Sequence, residues 1–128
     1  MFRNPQVIIF SENLPRAVAF YVSLGFTETF RVPTEGEGEP IHVDLVLDGY
    51  KIGIASAAST RDDHGLDPVA EGQRAAVILW TDDTAAAFDQ IVANGARALV
   101  GPHDWLGRLL IAWVADPDGN PIQIAQDL

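Results

Sequence analysis

The sequence predicts an α+β chain built from two tandem βαβββ units, and three observations carry that expectation. The stretch 115–125 (ADPDGNPIQIA) joins a Pro- and Gly-containing turn to an alternating strand. Seventy positions earlier the chain reads Asp48-Gly49-Tyr50-Lys51-Ile52-Gly53-Ile54-Ala55. There Asp48, Gly49, Ile52, Ile54 and Ala55 match Asp118, Gly119, Ile122, Ile124 and Ala125. The same offset relates Glu12 to Asp82, Asn13 to Asp83, Ala17 to Ala87 and Gly25 to Gly95, so helix starts and stops repeat along with the turns.

Each element follows from its residues. Residues 6–10 are rich in β-branched side chains and read as a strand. A helix begins at Asn13 or Leu14, with Pro15 in the first turn, where its missing N–H costs nothing. Ala17, Phe20, Tyr21 and Leu24 form one apolar face, and Gly25 ends the helix. Residues 26–32 read as a strand and 33–40 (PTEGEGEP) as a loop. Strands over 41–47 and 50–55 form a hairpin about Asp48-Gly49. Residues 56–74 are polar and lack periodicity, which marks a linker; the units are set at residues 1–57 and 74–128, with 58–73 between them, in one domain. The order then repeats: strand 75–80, a helix capped by Asp82 or Asp83 and running to Asn94, strand 97–100, loop 101–107, and a hairpin of 108–115 with 121–125.

Composition narrows the function. The 128 residues, 48% of them hydrophobic, suffice for one domain with a real core, whereas each half alone would bury too little surface. Eighteen acidic residues against eight basic give a net charge of −10, which disfavours nucleic acid and anionic membranes as partners. The absence of cysteine excludes disulfides, thiolate metal sites and cysteine nucleophiles. Residues 7–10 are too short an apolar run for a signal peptide or a membrane span, so a cytoplasmic protein is expected.

The duplicated unit, Phe20-Tyr21 followed by Leu24-Gly25-Phe26, and the terminal DPDGN turn together resemble the vicinal oxygen chelate superfamily, which includes glyoxalase I, extradiol dioxygenases and bleomycin-resistance proteins. The resemblance implies sheets curled around a cavity. In metal-dependent members it also implies four ligand positions, which fall here on Gln6, Gly53, Ala76 and Gln123. Such members carry His or Glu at these places. Two neutral amides, a glycine and an alanine cannot replace imidazole or carboxylate donors. The closer resemblance is therefore to the metal-free, bleomycin-resistance-like branch, which implies a homodimer that sequesters a flat, cationic ligand without a cofactor.

Strand parity supplies candidate cavity residues independently of the resemblance. Val43, Leu45, Ile52 and Ile54 should face the helix, leaving His42, Asp44, Lys51, Gly53 and Ala55 on the other side. In the second unit Ala76, Ile78 and Trp80 should face the cavity. The offset of 70 pairs Trp113 with Val43 and so places it in the core, while Ala112 joins the small residues that leave room for a ligand. Aromatic faces at Phe10, Trp80 and Trp105 would stack a planar group, beside Gln123, while Asp44 meets a positive one. Each residue also has a plain structural role open to it. Trp80 could fill an interface, Trp105 could plug the core from its loop, and His42 with Asp44 could be a hydrogen-bonded polar pair. Glu35, Glu37 and Glu39 suit a solvated loop or one that guides a cation.

The function expected from these residues is binding and sequestration of a small molecule rather than catalysis. The alternative is a metal-dependent lyase, isomerase or dioxygenase with a relocated site drawn from His42, Asp44 and His103.

Overall fold

The computed structural model describes residues 1, 3–34, 38–68 and 75–128, which form two compact units, Met1–Ala70 and Glu71–Leu128. The acidic positions Glu35 and Glu37 lie outside the described residues. Among the described residues no helix is long and apolar enough to cross a membrane.

In the first unit the order is β1 (Val7–Ser11), α1 (Leu14–Ser23), β2 (Thr27–Val32), β3 (His42–Leu47), β4 (Tyr50–Ser56) and α2 (Ala57–His64). The sheet runs β1-β4-β3-β2, with β1 parallel to β4 and the other pairs antiparallel. This order requires the chain to cross from one sheet edge to the other between β1 and β2, and α1 makes that crossing. The Asn13 side chain caps the helix by accepting from the Arg16 N–H at 3.1 Å, and Gly25, at φ +109°, turns the chain out of it.

Burial follows the alternation. Leu14, Ala17, Phe20 and Tyr21 of α1 are buried, as are Val43, Leu45, Ile52 and Ile54 on one face of the sheet. The Tyr21 ring meets Phe20 and Phe26 edge-on at centroid distances of 5.3 and 5.7 Å.

The second unit repeats this plan in β5 (Val77–Trp80), α3 (Thr84–Ala93), β6 (Arg97–Trp105), β7 (Leu109–Ala115) and β8 (Pro121–Asp127), with sheet order β5-β8-β7-β6. Asp83 caps α3 through the Ala86 N–H at 3.0 Å, matching Asn13 in the first unit. The turn between β7 and β8 is held by the buried Asp116 carboxylate. It accepts from the N–H groups of Asp118 and Asn120 and from Asn120 Nδ2 at 2.8–2.9 Å.

Two stretches differ from the sequence expectation. Eight residues of the expected linker form α2, because Ser56 caps its start, accepting from the Ser59 N–H at 3.2 Å, and Gly65 closes it in the left-handed region. The helix has little apolar periodicity to announce it; its fastening is polar. Arg61 bridges Glu12 and Asp67, and Thr60 Oγ1 donates to the Ser56 carbonyl. Residues 69–74 of that stretch lie outside the described residues. The expected loop 101–107 is instead mostly strand, since β6 continues through two irregularities of register to Trp105.

Candidate functional site

Residues opposite one another in neighbouring strands share a face, so the pairing register lays out each sheet as rows. On the face of the first sheet away from α1, one row reads Phe10, Ala55, His42, Val32 across β1-β4-β3-β2. The next reads Ile8, Gly53, Asp44, Phe30. Lys51 and Val46 continue the pattern, with Gln6 just before β1 on the same face.

Asp44 is the centre of this face and is only 9% exposed. Its Oδ1 accepts from Gln6 Nε2 and pairs with His42 Nε2, both at 2.7 Å, and Oδ2 lies 4.0 Å from Lys51 Nζ. Burial pushes the Asp44 carboxyl up. The hydrogen bonds from His42 and Gln6, with the charge of Lys51 nearby, outweigh that effect and hold it below its ordinary 3.8.

The cluster needs a bare backbone beneath it. A Cβ on Gly53 would stand 2.8 Å from His42 Cε1 and 2.9 Å from Gln6 Nε2, closer than carbon and nitrogen atoms tolerate. The imidazole and the amide therefore occupy the space that any other residue at 53 would fill. Around this polar centre, Ile8, Phe10 and Phe30 are exposed. The face is thus an apolar surface with one hydrogen-bonded polar island.

The second sheet presents the same layout with different chemistry. Its rows read Trp80, Ala125, Ile111, His103 and Ile78, Gln123, Trp113, Val100. Trp113, expected in the core, instead pairs with Gln123 on this face and is half-buried. Ala112, expected on this face, is fully buried opposite Ile124. The reason is turn length. Val46 pairs with Lys51 around four residues, whereas the equivalent pair of Ala115 with Pro121 encloses five, so the offset in β7 is 69 and every side chain there changes face. Trp113 therefore holds the station of Asp44, and Ile111 that of His42.

The expected site residues fall as follows. His42 and Asp44 are brought together, with Phe10 in the row of His42. Trp80 is 60% exposed at the end of β5, and Gln123 is half-buried beside Trp113. Trp105 is not in a loop but closes β6 opposite Leu109, half-exposed. His103 sits on β6 with Nδ1 bonded to its neighbour's carbonyl, Gly101 O, at 2.8 Å. Phe30 and Trp113 were not legible as site residues. A bulge at Phe30 and the longer turn before β8 defeat simple alternation.

The ligand positions implied for metal-dependent relatives do not suit an ion here. In the first unit Gln6 has committed its amide to Asp44 and Gly53 has no side chain. In the second, Ala76 has no donor and Gln123 has a neutral amide. Among the described residues no group of three or more His, Cys, Asp or Glu is placed to hold a metal.

Comparison with known proteins agrees with this architecture. Hypothetical protein SA1046 from S. aureus superimposes with a TM-score of 0.83 at 13% identity, over 98% of this chain and 95% of that one. A glyoxalase-related enzyme from Fulvimarina pelagi gives 0.80 at 19% identity, over 99% and 89%. A glyoxalase/bleomycin resistance protein/dioxygenase family enzyme from Burkholderia phytofirmans PsJN gives 0.80 at 21% identity, over 96% and 97%. At these identities the likeness concerns the fold. No curated protein matches the chain. The sequence profile of one family covers residues 3–124, and with the paired βαβββ units it leads to one conclusion: the chain belongs to the Glyoxalase/Bleomycin resistance protein/Dioxygenase superfamily.

Proposed function

We propose that this member of the superfamily binds and sequesters a planar small molecule, and that it does so without a metal ion. The observation that carries the reading is the Gln6–Asp44–His42 cluster seated over Gly53. At the implied ligand position Gln6, and over the bare Gly53, the side chains of Gln6, Asp44 and His42 satisfy one another instead of converging on an ion. Exposed Phe10 and Phe30 beside the cluster supply ring faces on which a flat ligand would stack, each worth about 0.5–1.5 kcal/mol beyond burial, and Trp80 offers such a face on the second unit by itself. The net charge of −10 favours a ligand with a positive group, of the kind found among aromatic antibiotics. Homodimerisation and a cytoplasmic location complete the proposal.

A thermal-shift panel of cationic heteroaromatic compounds tests it, because a ligand at a hundred times its dissociation constant adds about 2.7 kcal/mol to native stability. Native mass spectrometry of protein purified without chelator reads metal, ligand and subunit count together. Stoichiometric transition metal in that spectrum would overturn the metal-free reading.

A further inference from the structure

We infer that His42 Nδ1 is the acceptor for a hydroxyl group on an aromatic ligand, held in place by Asp44. The inference rests on the binding role proposed above and names the chemistry that the first unit's face would read. It starts from an accounting of donors and acceptors. A carboxylate can only accept, so the His42 nitrogen 2.7 Å from Asp44 Oδ1 is the one that carries a proton. With Nε2 as the donor, the lone pair of a neutral imidazole lies on Nδ1. That atom has no hydrogen-bond partner among the described residues, and the His42 side chain keeps 25% of its surface open.

The Asp44 carboxylate itself is largely spoken for. Gln6 and His42 share Oδ1, and Lys51 faces Oδ2 at 4.0 Å. A ligand approaching this face therefore meets an acceptor nitrogen rather than an open negative charge. Gln6 and the bare Gly53 backbone fix the ring plane from the other side, because the imidazole lies where a Cβ would be. Such a held tautomer is a specific reader of O–H or N–H groups.

The row arrangement adds shape. Phe10, Ala55 and His42 stand side by side on β1, β4 and β3. Strands sit about 4.8 Å apart, so Phe10 and His42 are roughly 10 Å apart at the backbone, with only a methyl group between them. An aromatic ring fits over Ala55 against Phe10, with a ring hydroxyl directed at Nδ1. A phenol or naphthol matches this pattern, and its methyl ether does not.

Two measurements on the full chain test the inference. Nitrogen NMR of histidine-labelled protein without ligand should show His42 protonated at Nε2 and bare at Nδ1. Affinity for 2-naphthol should exceed that for 2-methoxynaphthalene by about tenfold at neutral pH, one charge-tuned hydrogen bond. His42→Lys keeps an N–H donor for Asp44 but carries no acceptor, and should erase that preference. A proton on Nδ1 in the free protein, or equal binding of the two probes by wild type, overturns the inference while leaving the binding role intact. Failure of both probes to bind overturns the inference together with the binding role of this face.

Discussion

The ring of His42 lies over Gly53 so closely that a Cβ at position 53 would come within 2.8 Å of its Cε1. The glycine is thus a packing requirement of the polar island, independent of any role in backbone turning. Substituting it tests the island directly.

Gly53→Ala should displace both the imidazole and the Gln6 amide, leaving Asp44 buried with fewer partners. The expected cost is about 1–3 kcal/mol in urea unfolding, from overpacking together with a weakened hydrogen-bond set. Gly101→Ala is the control, since a Cβ there meets nothing within 4 Å and should change stability little. Equal stability of the two variants would show that the cluster is not seated as described.

Asp44 also sets an acid limb in the stability profile. Its carboxyl is held below its ordinary 3.8 in the folded chain, so folding favours the ionised form. Its contribution is full above that ordinary value and is lost as pH falls through the lower folded value. Wild type should therefore lose stability more steeply than Asp44→Asn in that acid range, measured by urea unfolding at a series of pH values. Superimposable slopes would contradict the assigned hydrogen bonds.

The repeat, its helix caps and its turns were legible in the sequence because each rests on local chemistry: Asn13 and Asp83 as caps, Gly25 and Gly95 as stops, and alternation along residues 41–55. That alternation also put His42, Asp44 and Gly53 on one face. What failed was transfer by a constant offset. Five residues between Ala115 and Pro121, against four between Val46 and Lys51, shift β7 by one position, and with a period of two a single residue exchanges Trp113 for Ala112. The α2 helix escaped notice because hydrogen bonds and ion pairs fasten it, and these leave no hydrophobic period. The hydrogen bonds among Gln6, His42 and Asp44 depend on rotamers across three strands, which no spacing in one strand reveals.

The altered register makes the two tryptophans of the second unit separable. Trp80 is 60% exposed, so Trp80→Ala should change stability by no more than about 0.5 kcal/mol. Trp113, half-buried beside Gln123, should cost about 2–4 kcal/mol when replaced by alanine. If Trp80 is a stacking platform, Trp80→Ala loses thermal stabilisation by aromatic ligands while its own melting temperature stays unchanged. A large stability loss for Trp80→Ala would assign it to structure instead.

Arg61 concentrates what holds α2. Its guanidinium bridges Glu12 at the end of β1 and Asp67 beyond the helix, and these partners hold its proton even more firmly than usual and keep the Glu12 carboxyl below its ordinary range. The bridge is exposed, so it should govern local order rather than global stability. In Arg61→Ala, amide hydrogen exchange over Ala57–His64 should accelerate while the urea midpoint of the whole chain stays within error. High salt should speed exchange over the same helix in wild type and have less effect in the variant, because screening removes what the substitution has already taken away. Unchanged exchange in the variant would mean that the Ser56 cap and the Thr60 hydrogen bond suffice to hold the helix without its ion pairs.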